Sequence, residues 1–281
     1  MKKLLSKTYA WLSLIRLPNL FTVPGDCVVG YLLSGGFYFN KPFILLIISS
    51  ISYYIFGLIT NDIRDLPEDR QDNPERPLPS GAIKIAHART AAAMFLFSGV
   101  LCGFLSSLTS GMVGLLLLLA IVLYNFVFKS NPVIAPILMS SCRLLNVLLG
   151  ASLSQINLIS PAMLILLHFS VLYFTFVFGI SVAARNEKSS DILSFISGTV
   201  LISFSTFLLF LYSLFKFVRI LNYTGHFPPA FWSGIAAMLI LFVILLGFMA
   251  NRFIKGNRDI SSSIGRLICG MTLFQAVYLS S

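Results

Sequence analysis

Residues 42–69 read PFILLIISSISYYIFGLITNDIRDLPED, an apolar run that passes directly into a cluster of acidic residues. A helix needs about 20 mostly apolar residues to cross a bilayer, and residues 42–61 supply that length. The rest of the chain has the same character, because 57% of its 281 residues are hydrophobic and only 11% are charged. A soluble domain usually carries about 25% charged residues. We therefore expect the bilayer to be the solvent for this chain and predict an integral membrane protein.

Several further stretches are long and apolar enough to span a membrane, and this predicts an all-α fold with about nine transmembrane helices. Glycine, proline or asparagine marks many of the short connections between them. The chain is expected to form one transmembrane domain over residues 1–281. The stretches cover roughly residues 10–34, 42–61, 86–108, 111–128, 132–153, 161–184, 192–215, 229–250 and 262–280.

The basic residues are distributed unevenly between the predicted loops. The net charge of +10 could indicate nucleic-acid binding in a soluble protein. Here most basic residues fall in short loops, which is the pattern of membrane topology, so we expect no nucleic-acid partner. The loops on one side hold Lys2, Lys3, Lys7, Arg64, Arg70, Arg76, Lys84, Lys129, Arg185, Lys188, Arg252, Lys255 and Arg258, and those on the other hold Lys41, Lys216 and Arg219. This asymmetry predicts a multi-pass protein of the inner or cell membrane, with a cytoplasmic N-terminus and an outside C-terminus.

The polar segment after the second predicted helix holds six of the ten acidic residues of the chain. Asp62, Asp65 and Asp69 have the i, i+3, i+7 spacing that places side chains on one helix face. Mg²⁺ prefers such oxygen ligands and typically binds one or two carboxylates plus substrate phosphates. The pattern predicts Mg²⁺ holding a diphosphate at the membrane surface, while the alternative is a solvated acidic loop. Pro67 is expected to kink or end the helix, which makes Asp62 and Asp65 safer ligands than Asp69.

The acidic segment, Asn61 to Asp69, resembles the NDxxDxxxD motif of the UbiA family of intramembrane prenyltransferases. The following residues 73–81, NPERPLPSG, are similar to the RPLPSG segment of that family. The two segments together are a specific signal, and the nine-helix layout extends the resemblance over essentially the whole chain. The resemblance implies a UbiA-like helix bundle in which Mg²⁺ assists transfer of a prenyl group from an isoprenyl diphosphate to a small aromatic or lipid-like acceptor.

The resemblance also implies roles for individual residues. Arg16-Leu17-Pro18-Asn19 resembles a helix 1 segment of the family whose asparagine lies near the aspartate motif, and Arg143, Asn146 and Gly150 form an RxxNxxxG pattern. A charge within the membrane is costly and normally faces a cavity or a partner, so the alternative for Arg143 is a structural pair with Asp26. The implied catalytic residues are Asn61, Asp62, Asp65 and Arg143, the substrate-binding residues are Asn19, Arg76, Tyr124, Lys129, Asn146 and Arg185, and the metal ligands are Asp62, Asp65, Asp69 and Glu187.

The segment after the sixth predicted helix departs from the family pattern. The family has a second acidic motif there, whereas this chain has only Glu187 and Asp191. An ExxxD pair could still hold a metal on a helix, or Arg185 and Lys188 could bind phosphate directly. The arrangement resembles the divergent EboC-like branch of the family. It keeps open a non-catalytic isoprenoid-binding protein, and a secondary transporter is the third alternative. The acceptor and the prenyl chain length are not readable from these residues.

Overall fold

A computed structural model of the chain describes residues 2–154, 161–185, 200–208 and 211–212, together with the single positions 240, 271, 274, 275 and 278. Regular structure within these residues is entirely helical. The chain forms two compact units. The first comprises Met1–Leu32, Gly36–Leu138 and Leu145–Gln155, and the second comprises Leu33–Gly35, Met139–Leu144 and Ile156–Ser281.

Eight α-helices and one π-helical segment are described. They are α1 (Lys2–Leu14), α2 (Leu17–Leu20), α3 (Thr22–Leu33), α4 (Lys41–Asp72), α5 (Ile85–Ser106), α6 (Leu108–Val122), the π segment (Leu123–Phe128), α7 (Ile134–Ala151) and α8 (Pro161–Arg185). Five of the resulting helical stretches are long and apolar enough to cross a membrane: Lys41–Asp72, Ile85–Ser106, Leu108–Phe128, Ile134–Ala151 and Ala162–Ala184. The chain is therefore a multi-pass integral membrane protein. The predicted spans 192–215, 229–250 and 262–280 lie largely outside the described residues.

The acidic motif lies in the last turns of a long helix. Pro67 was expected to kink or end this helix, and an end at Pro67 was wrong, because α4 continues past Pro67 to Asp72. Pro67 is exposed, so solvent can hydrate the carbonyl that the missing amide would have bonded. The last turn is closed by the amide of Asn73, which donates to the carbonyl of Asp69 at 2.9 Å. The helix therefore carries the whole motif.

The first predicted span, residues 10–34, is divided into three helices. Between α1 and α2 Arg16 adopts the left-handed conformation, with φ 48° and ψ 57°. This conformation is costly for a residue with a side chain, and Arg16 is the one non-glycine residue with positive φ in the described part of the chain. Pro18 lies in the first turn of α2, where its fixed φ suits a helix start. The break moves Arg16 off the regular helical path.

Helices α3 and α7 meet at two glycines in the first unit. A Cβ on Gly30 would lie 1.9 Å from the backbone oxygen of Val147, and one on Gly150 would lie 2.0 Å from that of Cys27. The two backbones are therefore in direct contact, as in membrane helix pairs built on small residues. Glycine is needed at both positions because no side chain fits between the helices.

The core of the second unit is aromatic. Phe169, Tyr173 and Phe176 on α8 are fully buried, and all three pack against Phe274, with ring centroids 4.8–6.3 Å apart. Ring pairs at these separations stabilise beyond the area they bury. The side-chain amide of Gln275 donates to the hydroxyl of Tyr173 at 3.0 Å, which satisfies a polar group in this apolar core.

Tyr53 of α4 offers a test of packing in the first unit. Its ring lies between Gly99 of α5 and Gly114 of α6, and its buried hydroxyl has no hydrogen-bond partner among the described residues. A buried hydroxyl without a partner costs about 1–3 kcal/mol. We expect Tyr53→Phe to leave the thermal unfolding midpoint in detergent unchanged or to raise it.

The matched control for that substitution is Tyr173→Phe. Here the lost hydroxyl accepts the hydrogen bond from Gln275, so the substitution should lower the unfolding midpoint. A fall in the midpoint for Tyr53→Phe, equal to that for Tyr173→Phe, would contradict the assignment of Tyr53 as an unpaired hydroxyl.

Candidate functional site

Three aspartates of α4 each bind a basic side chain from a different segment of the first unit. Asp62 Oδ1 lies 3.2 Å from the guanidinium of Arg16. Asp65 forms an ion pair with Lys129, which follows the π segment. Asp69 Oδ2 lies 2.7 Å from Arg76 in the loop after α4. The i, i+3, i+7 spacing therefore presents three carboxylates to three cations that come from three segments of the chain.

Asn61 connects two of these carboxylates. Its Nδ2 donates to Asp65 Oδ2 at 3.1 Å and lies 3.5 Å from Asp62 Oδ1. Its Oδ1 accepts a hydrogen bond from Lys129 Nζ at 2.6 Å. The predicted catalytic residues Asn61, Asp62 and Asp65 are thus brought together, and the amide of Asn61 fixes how the two carboxylates face each other.

Arg16 is a site residue that the sequence analysis did not assign. The same break between α1 and α2 places Asn19, whose amide donates to the carbonyl of Arg16 at 2.9 Å. Asn19 in turn accepts the hydroxyl of Thr22 on its own carbonyl at 2.8 Å. Arg16 thus has both a left-handed backbone and an ion pair with Asp62. Strained residues of this kind concentrate at functional sites. The nearby Pro18 was the available sequence signal.

Arg76 and Asp69 form the most fully bonded of the three pairs. Arg76 Nη1 donates to both carboxylate oxygens of Asp69, at 2.9 and 2.7 Å, and Asn73 Nδ2 donates to Asp69 Oδ1 at 2.9 Å. Burial opposes the charge of Arg76, but the hydrogen bond and charge of Asp69 outweigh it and raise the pKa of Arg76 above its ordinary value. The residue therefore stays positively charged. Asp69, the less safe ligand by sequence, is as deeply buried as Asp62.

The π segment positions Lys129. Asn125 is buried within it, and its Nδ2 donates to the carbonyl of Gly57 at 2.9 Å and to the hydroxyl of Thr60 at 2.8 Å, both on α4. These bonds anchor the segment directly before the acidic motif, and π turns are common at functional sites. Tyr124 lies in the same segment and is half-buried. Asn125 was not predicted, because only its contact with α4 distinguishes it from other polar residues.

Asn146 lies in a separate polar cluster in the first unit. Its Nδ2 donates to Asp26 Oδ2 at 3.1 Å and to the carbonyl of Val23 at 3.0 Å, and its Oδ1 accepts from Ser50 at 2.7 Å. Asp26 is fully buried. One of its hydrogen bonds comes from Asn146. Arg143 is half-buried and precedes Asn146 by three residues on α7.

The predicted residues of the second motif lie beyond the part of the chain that the structure describes. α8 ends at Arg185, but the side chain of Arg185 and all of Glu187 and Asp191 lie outside the described residues. Their predicted roles stay predictions.

The described residues suit Mg²⁺ in both type and number. Asp62 and Asp65 offer only hard oxygen ligands, and both lie within 3.5 Å of the same amide nitrogen of Asn61. In the described ranges no three His, Cys, Asp or Glu side chains gather at metal-binding distance. Mg²⁺ does not need three, since it usually combines one or two carboxylates with water and substrate phosphates.

One known protein family matches most of this chain. The UbiA prenyltransferase family model covers residues 26–262. The chain belongs to the UbiA prenyltransferase family. A digeranylgeranylglyceryl phosphate synthase from Methanocaldococcus jannaschii is 35% identical over 97 residues, which are 34% of this chain and 34% of that protein. The chain spans about a third to a half of the length of the curated relatives it matches.

Solved structures show the same fold for this UbiA family member. The apo structure of a UbiA homologue from Aeropyrum pernix K1 has a TM-score of 0.69 at 14% identity, covering 93% of this chain and 96% of that chain. The structure of a UbiA homologue from Archaeoglobus fulgidus bound to GPP and Mg²⁺ has a TM-score of 0.59 at 15% identity, covering 97% of this chain and 100% of that chain.

Proposed function

We propose that this UbiA family member is an intramembrane prenyltransferase that moves a prenyl group from an isoprenyl diphosphate to a small aromatic or lipid-like acceptor. The observation that carries the proposal is the convergence of Arg16, Lys129 and Arg76 on three aspartates of one helix. Carboxylates suit Mg²⁺ and basic side chains suit diphosphate. The names of the archaeal relatives, and the GPP and Mg²⁺ bound to a homologue of the same fold, support the same reaction.

Asp62 and Asp65 are the proposed Mg²⁺ ligands, with Asp69 and Glu187 as further candidates. Bound Mg²⁺ would neutralise the charge that develops on the leaving diphosphate. Asn61 orients the two carboxylates through its amide. Fixed groups of this kind stabilise developing charge without having to reorganise during the reaction.

The substrate-binding residues act on the diphosphate and its chain. Lys129 and Arg76 would donate to phosphate oxygens, and Tyr124, Asn19 and Arg185 are further substrate-binding residues proposed from the family resemblance. Arg143 and Asn146 are proposed site residues on the family resemblance alone, since the described hydrogen bonds of Asn146 are to the cluster around Asp26. The allylic C–O bond breaks, the diphosphate leaves with the bonding electrons, and the acceptor forms a bond to the freed carbon and loses a proton.

The proposal also includes the side of the membrane on which the site lies. We place the acidic motif at the cytoplasmic face of a single domain with about nine spans, because basic residues concentrate in the loops on that side. The three ion pairs lie along the last turns of α4, which favours a surface-facing enzyme over a transporter.

The test is diphosphate release from geranylgeranyl diphosphate by the purified chain in lipid. The reaction is run with Mg²⁺ and then with EDTA, in the presence of an acceptor panel that includes geranylgeranylglyceryl phosphate and aromatic quinone precursors. We expect release that depends on Mg²⁺ and on one acceptor class. Binding of the donor without release, under every acceptor, would instead support a non-catalytic isoprenoid-binding protein.

A further inference from the structure

The charged groups of the site already neutralise one another. Arg16 binds Asp62, Lys129 binds Asp65 and Arg76 binds Asp69. The carboxylates are the more buried partners, since the side chains of Asp62, Asp65 and Asp69 are 10%, 22% and 8% exposed against 28–41% for the cations. A carboxylate with so little access to water depends on its protein cation for compensation.

These ion pairs use the same atoms that the substrate and the metal would need. A divalent cation on Asp65 competes with Lys129 for the carboxylate oxygens. A diphosphate competes with Asp65 for the ammonium of Lys129. The same holds for Asp62 and Arg16. Each ligand therefore has to separate an ion pair when it binds alone, and it leaves one member of the pair uncompensated in a partly buried place.

We propose that the metal and the diphosphate bind this chain as mutually dependent ligands, with Arg16 and Lys129 acting as internal counter-ions. The proposal rests on the prenyltransferase site described above. When both ligands bind, the carboxylates pass to the metal and the cations pass to the phosphates, so that no charge loses its partner. Binding of one ligand then favours the other by the same factor in both directions, as linkage requires.

The proposal predicts opposite effects on the two affinities for one substitution. Lys129→Met removes the counter-ion of Asp65, so a divalent cation alone should bind more tightly. The same change removes a ligand of the diphosphate, so pyrophosphate alone should bind more weakly. A merely structural role of Lys129 would weaken both. Arg16→Met should repeat the pattern at Asp62.

The experiment uses the full chain in lipid nanodiscs with Mn²⁺ and inorganic pyrophosphate as probes. Equilibrium dialysis gives the affinity for Mn²⁺ alone, the affinity for labelled pyrophosphate in EDTA, and the affinity for Mn²⁺ at saturating pyrophosphate. We expect pyrophosphate to tighten Mn²⁺ binding by about tenfold or more, within the range of ordinary coupling between sites. Lys129→Met should tighten binding of Mn²⁺ alone by about tenfold and weaken binding of pyrophosphate by a similar factor.

Two further variants accompany the measurement. Lys129→Arg keeps the charge and should shift both affinities less than Lys129→Met does, and Lys84→Met removes an equal charge from an exposed position and should change neither affinity. The proposal is overturned if pyrophosphate does not tighten Mn²⁺ binding, or if Lys129→Met and Arg16→Met weaken both ligands. If the two affinities shift in opposite directions but no diphosphate is released from a prenyl donor, the coupling stands and the proposed catalysis is rejected. If diphosphate is released but the affinities do not shift in this way, the coupling alone is rejected.

Discussion

Asp62→Asn is expected to lower the rate of diphosphate release by about 10²–10³-fold, the typical effect of removing one group that stabilises developing charge. The amide keeps the size of the side chain but loses the negative charge that makes a carboxylate the stronger Mg²⁺ ligand. It also leaves Arg16 without its ion-pair partner. Release is measured under saturating Mg²⁺ with the best acceptor from the panel.

The matched control is Glu68→Gln, which removes one negative charge from an exposed position of the same helix. It should retain release within about twofold, since exposed charges away from the site contribute little. The unfolding midpoint of both variants is recorded to separate loss of fold from loss of function. Release by Asp62→Asn at the level of Glu68→Gln, in folded protein, would remove Asp62 from the metal site and with it the main support for the mechanism.

The membrane helices that stand between short loops were predicted well. The stretches 86–108, 132–153 and 161–184 correspond to Ile85–Ser106, Ile134–Ala151 and Pro161–Arg185. Bilayer thickness fixes the length of such helices, and hydropathy alone reports it. The aspartate spacing was equally informative, because helical geometry determines which side chains share a face and needs no tertiary contact.

Departures from regular helix were harder to predict. Pro67 signals a helix end by local propensity, but the bonds that Asn73 and Arg76 make to Asp69 hold the last turns of α4 in place. Hydrogen bonds that close a helix end can therefore outweigh the propensity of a single residue. At Arg16 the structure departs from a regular helix where local propensity gives no sign of it, since nothing in an isolated arginine indicates a left-handed backbone.

The residues that position the site were missed because their role depends on contacts between distant parts of the chain. Asn125 fixes the π segment through contacts with Gly57 and Thr60, which lie more than sixty positions earlier in the chain. Such a pairing is created by the packing of one helix on another. A family resemblance identifies the residues that contact ligands. It identifies less readily the residues that hold those side chains in position.

Gly150→Ala should be strongly destabilising, because the added Cβ would meet backbone and not a side chain. The added Cβ would lie 2.0 Å from the backbone oxygen and 2.7 Å from the carbonyl carbon of Cys27, and a backbone cannot give way as a flexible side chain can. Overpacking costs typically 1–3 kcal/mol and more where relaxation is blocked, so we expect a loss of about 3 kcal/mol or more. Separation of α3 from α7 would also disturb the hydrogen bond from Asn146 to buried Asp26, which adds to the loss.

The control for steric contact is Gly103→Ala, where the nearest atom to the added Cβ is the side-chain oxygen of Ser49 at 3.3 Å. Replacing a helical glycine by alanine stabilises by up to about 1 kcal/mol when space allows. Gly103→Ala should therefore change the unfolding midpoint much less than Gly150→Ala, which lowers it by several degrees in the same detergent. Equal midpoints for the two variants would mean that α3 and α7 are farther apart than the backbone contact implies. A selective loss at Gly150 would establish that this contact, and not glycine content in general, holds the helix pair together.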